Sequence, residues 1–210
     1  MTGSNKQFAL LPHKAGVLNY RTGPMGSDTT LLGTPQVTLY LSIDNGDDAD
    51  VALTLKDIDP DGKVTFLQSG LQRASFPEID EKQTSAEEVV HTFSKAEKLI
   101  PGKVYEVRMS FLAPIAHVVR KGHSLELTVA APNPIPHLGP HLGASPGIGS
   151  IPAGSVSANQ VYHTSEYPSR VVFPILPGVI SQAPTPECGT LLGQPCREQA
   201  DFILGGLSRP

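Results

Sequence analysis

QVTLYLSI at residues 36–43 alternates without a break, placing Val37, Leu39, Leu41 and Ile43 on one side of an extended chain. A period of two marks a strand with one buried and one wet face. VALTLKDI (51–58) repeats the pattern with Val51, Leu53 and Leu55, and KVTFLQS (63–69) continues it with Val64 and Phe66. VYEVRMSFL (104–112) aligns Tyr105, Val107, Met109 and Phe111, and HSLELTVAA (123–131) aligns Leu125, Leu127 and Val129. Short connections separate these runs: DPDG at 59–62, PGK at 101–103 and RKGH at 120–123. The chain has 20 glycines and 20 prolines in 210 residues, set between apolar runs as turn residues are. Short strands joined this way predict an all-β sandwich or jelly roll, and the length suits one well-buried domain.

Three stretches fit that scheme less directly. TSAEEVVHTFSKAEKL (84–99) satisfies either period at Val89, Val90 and Phe93, and is read as mainly strand. Residues 132–158 form a Pro/Gly-rich loop of a length at which loops tend to be functional or mobile. From about residue 179 the alternation ends, so the domain is expected over 1–178, with 179–210 as a tail.

The charge pattern removes whole classes of function. A net charge of -4 without a basic cluster leaves no footprint for nucleic acid. No apolar run approaches the ~18 residues of a helical membrane span. The opening MTGSNKQF lacks the basic, apolar and small-residue order of a signal peptide. Cys188 and Cys196, in PECGTLLGQPCRE, have neither metal-site spacing nor a following histidine. They read as free thiols or as a local disulfide closing a small loop in the tail. The disulfide is favoured, and with it a secreted or extracytoplasmic parent.

Several short motifs suggest chemistry that their context opposes. DIDPDG (57–62) spaces Asp57, Asp59 and Asp61 as an EF-hand loop does, with Gly62 sixth and Val64 eighth. Its twelfth position is Gln68 where a bidentate glutamate is required, and both flanks read as strands. A turn accounts for Asp59, Pro60 and Gly62, so no metal ligand is assigned. GASPG (143–147) matches the G-x-S-x-G nucleophile elbow at Ser145. The oxyanion donor there is the next residue's N–H, and Pro146 has none. His137 and His141 in HLGPHLG have helical zinc spacing, but Pro140 and the glycines oppose a helix. His123, opening a strand after Gly122, is expected to satisfy backbone groups, and His163 to hydrogen-bond without catalysing. No catalytic or cofactor-binding residue is assigned.

Together, longer stretches resemble a known family. They are LLGTPQVTLYLSI, DDADVALTLKDIDPDGKVTFLQSGLQRASF, LIPGKVYEVRMSFLAPIAHVVRKGHSLELTVAAPN and ANQVYHTSEYPSRVVFPILP, in that order from about residue 16 to 178. They resemble the C-terminal, non-catalytic domain of the Xaa-Pro dipeptidyl-peptidase and cocaine esterase group of serine hydrolases. The resemblance implies a galactose-binding-like jelly roll packed on an α/β-hydrolase domain that holds the catalytic triad, joined in cis or in trans. No triad position maps onto this chain. Asp59, Asp61, Gly62, Pro101, Gly102, Gly122, His123, Pro168, Ser169 and Arg170 match as turn and framework residues. An accessory domain shaping a substrate cleft is the expected function, with an exposed apolar docking face. The alternative is a free-standing carbohydrate- or ligand-binding sandwich, which the absence of tryptophan weakens. A self-contained hydrolase using Ser145 ranks last, and a homo-oligomer is left open.

Overall fold

The computed structural model describes residues 8–10, 16–86, 88–131, 157–179 and 197–198. Among them every regular element is a strand: β1 (Phe8–Leu10), β2 (Val17–Thr22), β3 (Thr29–Gly33), β4 (Gln36–Ile43), β5 (Asp50–Ile58), β6 (Lys63–Arg73), β7 (Tyr105–Ser110), β8 (Ile115–Val119), β9 (Ser124–Ala130), β10 (Asn159–Val161), β11 (Arg170–Val172) and β12 (Arg197–Glu198). One sheet runs β1-β2-β9-β5-β6-β12, and all its pairs are antiparallel. A second sheet centres on β4, with β7 on one edge and β10 then β11 along the other. β3 and β8 form a third, two-stranded sheet. The expected all-β sandwich is the architecture found. β12, from the segment read as a tail, lies on the edge of β6.

Alternation becomes layering through the register. Leu53 stands opposite Val129 and Leu55 opposite Leu127, so β5 and β9 share one apolar face. Val37, Leu39, Leu41 and Ile43 of β4 meet that face from the second sheet, with Val107 and Met109 of β7 beside them. Burying each such side chain contributes ~1.5–3 kcal/mol. Gly70 shows how tightly the layers meet. A Cβ there would stand 3.0 Å from the carbonyl oxygen of Ser110, so the chain beyond β7 crosses where only glycine fits.

One expectation for β6 is corrected. Val64 and Phe66 do not continue the core face. A register shift beside Leu55 sets Gln68 opposite Leu55 and Phe66 opposite Lys56, leaving Leu67 as the extra residue. Leu67 joins the core, while Val64, opposite Ile58, is buried outside it. A bulge of this kind exchanges the two faces of a strand past the insertion.

The 84–99 stretch also departs from its reading, since its described residues form no strand. A single bridge, Ile79 with His91, is all the ladder it makes. Only Val89 and Leu99 of the stretch reach the interior; Leu99 joins the core, and the Val89 N–H donates to Ser110 Oγ at 2.7 Å. Phe93 is exposed on a left-handed backbone with φ of 49°, so strict alternation breaks there. Backbone bonds from Glu97 N–H to Ser75 O and Leu99 N–H to Asp47 O hold the segment down instead.

One chain segment belongs to two sheets. Arg170–Val172 pair with β4, and two residues later Leu32 N–H donates to Pro174 O and Leu176 N–H to Thr30 O, on β3. Ser169 precedes this segment and accepts the Tyr40 N–H on its hydroxyl at 2.9 Å.

Three adjacent strands share a buried charge cluster on the face away from the core. Lys56 and Glu126 are direct register partners, and Arg21 pairs with Glu126 from the other side. Lys56 Nζ lies 2.5 Å from Glu126 Oε1, and Arg21 Nη2 2.5 Å from Oε2, with Lys56 at 1% and Glu126 at 0% exposure. Burial alone would raise the carboxyl's pKa, but Lys56 and Arg21 outweigh it and hold Glu126 below the ordinary glutamate range. A depressed folded-state pKa contributes stability that is complete above the unfolded value and lost as pH falls through the folded one. Stability is therefore expected to decline below about pH 4.3, with a shallower decline in Glu126→Gln. That variant removes the carboxylate that neutralises the buried Lys56 and should lose about 3–5 kcal/mol at neutral pH in urea denaturation.

Candidate functional site

The DIDPDG stretch divides into two roles. DPDG forms a tight turn. Gly62 N–H donates to Asp59 O at 3.1 Å, Lys63 N–H donates to Asp59 Oδ1 at 2.8 Å, and Gly62 takes φ of 85°. Asp57 is no part of that turn. It follows Leu55 on the inward face of β5, and its buried carboxylate is shared by two imidazoles. His117 Nε2 lies 2.7 Å from Oδ2 and His123 Nδ1 2.9 Å from Oδ1. His117 projects from β8 between the buried Ile115 and Val119. His123 comes from the turn before β9, where Gly122 N–H donates to Met25 O and Met25 N–H to His123 O. Lys121 N–H and the Arg120 guanidinium bind Asp28 and hold its carboxyl below the usual range, anchoring the same turn.

His123 therefore corrects the expectation that its ring satisfies backbone groups; the ring binds a buried side chain. Each imidazole presents one ring nitrogen to its own oxygen of the shared carboxyl group. An aspartate-oriented imidazole is half of a proton-transfer pair. Among the described residues, however, no hydroxyl or thiol bonds either ring, and no group of three His, Cys, Asp or Glu stands ready for a metal. What the cluster does is tie β5, β8 and the β8–β9 turn together inside the sandwich. Sequence reading missed it, although the signal was present: Asp57 and His117 are polar residues at the inward parity of otherwise apolar strands.

His163 hydrogen-bonds, as expected. Its Nε2 lies 2.9 Å from the Tyr20 hydroxyl, with the rings edge to face at 5.1 Å. Burial pushes the Tyr20 phenol up to about 12 and lowers the His163 imidazole. At neutral pH the phenol is thus the donor and the neutral imidazole the acceptor. Tyr40, Tyr162 and Tyr167 gather nearby with ring centroids 5.6–5.8 Å apart, tilted at 46° and 64°. Ser145, Pro146, His137, His141, Cys188 and Cys196 lie outside the described residues.

Among the described residues, three uncharged segments run side by side. TLLGTPQ (30–36), SFLAPIA (110–116) and VVFPIL (171–176) contain no charged residue, and the fold brings them together. Leu32 pairs with Ala116 and bonds Pro174 through its N–H. Val172 pairs with Gln36, which pairs with Ser110. Leu32, Leu112 and Val172 stand 53%, 58% and 54% exposed.

The family model described as the X-Pro dipeptidyl-peptidase C-terminal non-catalytic domain matches residues 5–172. The chain belongs to that family. "Putative serine esterase Mb1866c" of Mycobacterium bovis and "Putative serine esterase MT1883" of Mycobacterium tuberculosis are each 25% identical over 167 residues. The match takes 77% of this chain and 24% of theirs, so the chain spans about a quarter of the length of these curated relatives. The X-Pro dipeptidyl-peptidase C-terminal fold recurs in solved structures. A CocE/NonD family hydrolase of Staphylococcus aureus, SACOL2612, superposes with TM-score 0.61 at 20% identity, over 81% of this chain and 34% of that one. An aminopeptidase from a marine sediment Thaumarchaeota archaeon gives TM-score 0.58 at 23% identity, over 78% and 26%. At these identities the likeness shows the fold alone.

The Asp57 cluster is expected to be structural. Asp57→Ala should lose about 1–3 kcal/mol by stranding two imidazole nitrogens, whereas Asp61→Ala, on the exposed turn, should stay within about 0.5 kcal/mol. Excess calcium should leave the urea midpoint of the unmodified chain unchanged. A calcium-dependent rise would restore the metal-loop reading of DIDPDG.

Proposed function

We propose that this chain is the accessory, non-catalytic domain of a serine ester or peptide hydrolase. In this reading it packs on an α/β-hydrolase domain, in cis or in trans, and shapes the substrate cleft. The family match over residues 5–172 carries the proposal, because that family is described as non-catalytic and as the C-terminal part of a peptidase. The uncharged strip around Leu32, Leu112 and Val172 supports it by offering a surface suited to burial against a neighbour. The use of Asp57, His117, His123 and His163 in internal hydrogen bonds supports it from the other side. The spacing of Cys188 and Cys196, which suits a local disulfide, favours an exported parent.

Tagging the chain in its native host and labelling the captured material with a fluorophosphonate tests the proposal. A labelled serine hydrolase is expected, on the same polypeptide or as a separate chain. For a separate chain, Leu32→Asp combined with Val172→Asp should abolish capture without unfolding the sandwich. The isolated chain should hydrolyse no aryl ester above background. Turnover by the isolated chain that Ser145→Ala removes, or a strictly monomeric native protein with no labelled partner, would falsify it.

A further inference from the structure

We infer that Asn45 is a self-modification site, converted through a cyclic imide to aspartate and isoaspartate. The inference is independent of the hydrolase reading. Asn45–Gly46 is the only Asn-Gly pair in the sequence, and both residues are exposed in the bend between β4 and β5. The reaction needs the Gly46 nitrogen to lose its proton and attack the Asn45 side-chain carbonyl carbon. A C–N bond forms, ammonia leaves, and a five-membered imide closes. Water then opens the ring at either carbonyl, leaving an aspartate or a backbone lengthened by one methylene as isoaspartate. A side chain on the following residue hinders that closure, and glycine has none.

The local structure favours each requirement. Nothing lies within 4 Å of the place a Gly46 Cβ would occupy, so no neighbouring group crowds the Gly46 side of the bend. Neither Asn45 nor the Gly46 N–H has a hydrogen-bond partner among the described residues. Two nearby pairs mark the contrast. In Asp61–Gly62 the glycine N–H is held by Asp59 O. Asn19 is buried in β2, accepts a bond from Thr128 Oγ1 at 2.6 Å, and precedes a tyrosine.

The bend is pinned on both sides of its free apex. Ile43 O accepts from Gly102 N–H, and Asp44 bonds Ala158 through both its N–H and its Oδ1. On the other side Asp47 O accepts from Leu99 N–H, and Asp48 binds the N–H and hydroxyl of Ser75. Conversion adds a carboxylate beside Asp44, Asp47, Asp48 and Asp50, and in the isoaspartate form lengthens a backbone clamped at each end. Both changes load the contacts that hold residues 98–103 and 157–158 in place.

Incubation of the whole folded chain at mildly alkaline pH, followed by peptide mapping and isoaspartyl methyltransferase labelling, tests the inference. The expected result is a more anionic species carrying isoaspartate at position 45, with faster tryptic cleavage after Lys98 and Lys103. Asn45→Gln should abolish the label while unfolding at the unmodified chain's urea midpoint. The inference is overturned if folded protein keeps Asn45 intact while the urea-unfolded chain converts, or if the label maps to another position.

Discussion

The register of β5 between β6 and β9 is the constraint on which the rest of the molecule depends. Side chains alternate along a strand, so sliding β5 by one residue would drive Lys56 into the core and expel Leu53 and Leu55. The pairing of Lys56 with Glu126 on one face and of Leu55 with Leu127 on the other opposes that slip from both sides. Ionic partners in a buried setting are weak as a source of net stability and strong as a means of selecting one alignment. The same register sets Asp57 inward, within reach of His117 and His123.

The sandwich was legible because its central strands obey a single rule. β4 occupies the residues that the alternation of QVTLYLSI marks, and β5, β7 and β9 differ from their readings only at the ends. Where a strand has one apolar and one wet face, parity alone predicts burial. β6 escaped because a bulge at Leu67 exchanges its faces, and a local insertion leaves no trace in a count of apolar residues. The 84–99 stretch escaped for another reason. Its apolar residues fit a period, but only Val89 and Leu99 find a place in the interior, and hydrogen bonds to distant loops decide its path. Short strands such as β10 and β11 exist only because β4 offers them an edge. Of the polar residues, His163 and the DPDG turn followed from local chemistry. The Asp57 cluster depends on contacts some 60 residues apart in the chain, which no local window contains.

Membership of a non-catalytic family accords with the way polar side chains are used among the described residues. Catalytic groups are left with an unmet partner that substrate supplies. Here Asp57 is saturated by two imidazoles, Glu126 by two cations, and His163 by a phenol. Among the described residues, Leu32, Leu112 and Val172 stay exposed along segments that carry no charge.

Residues 170–176 give the sandwich a mechanical character. Because one continuous backbone is hydrogen-bonded first to β4 and then to β3, tension pulling those two layers apart runs along covalent bonds. Side-chain packing alone would let sheets glide over each other, whereas this seam forces ruptures in both to occur together. A body leaning on the neighbouring strip would push against a stiff strut, and its displacement would be passed to both sheets at once.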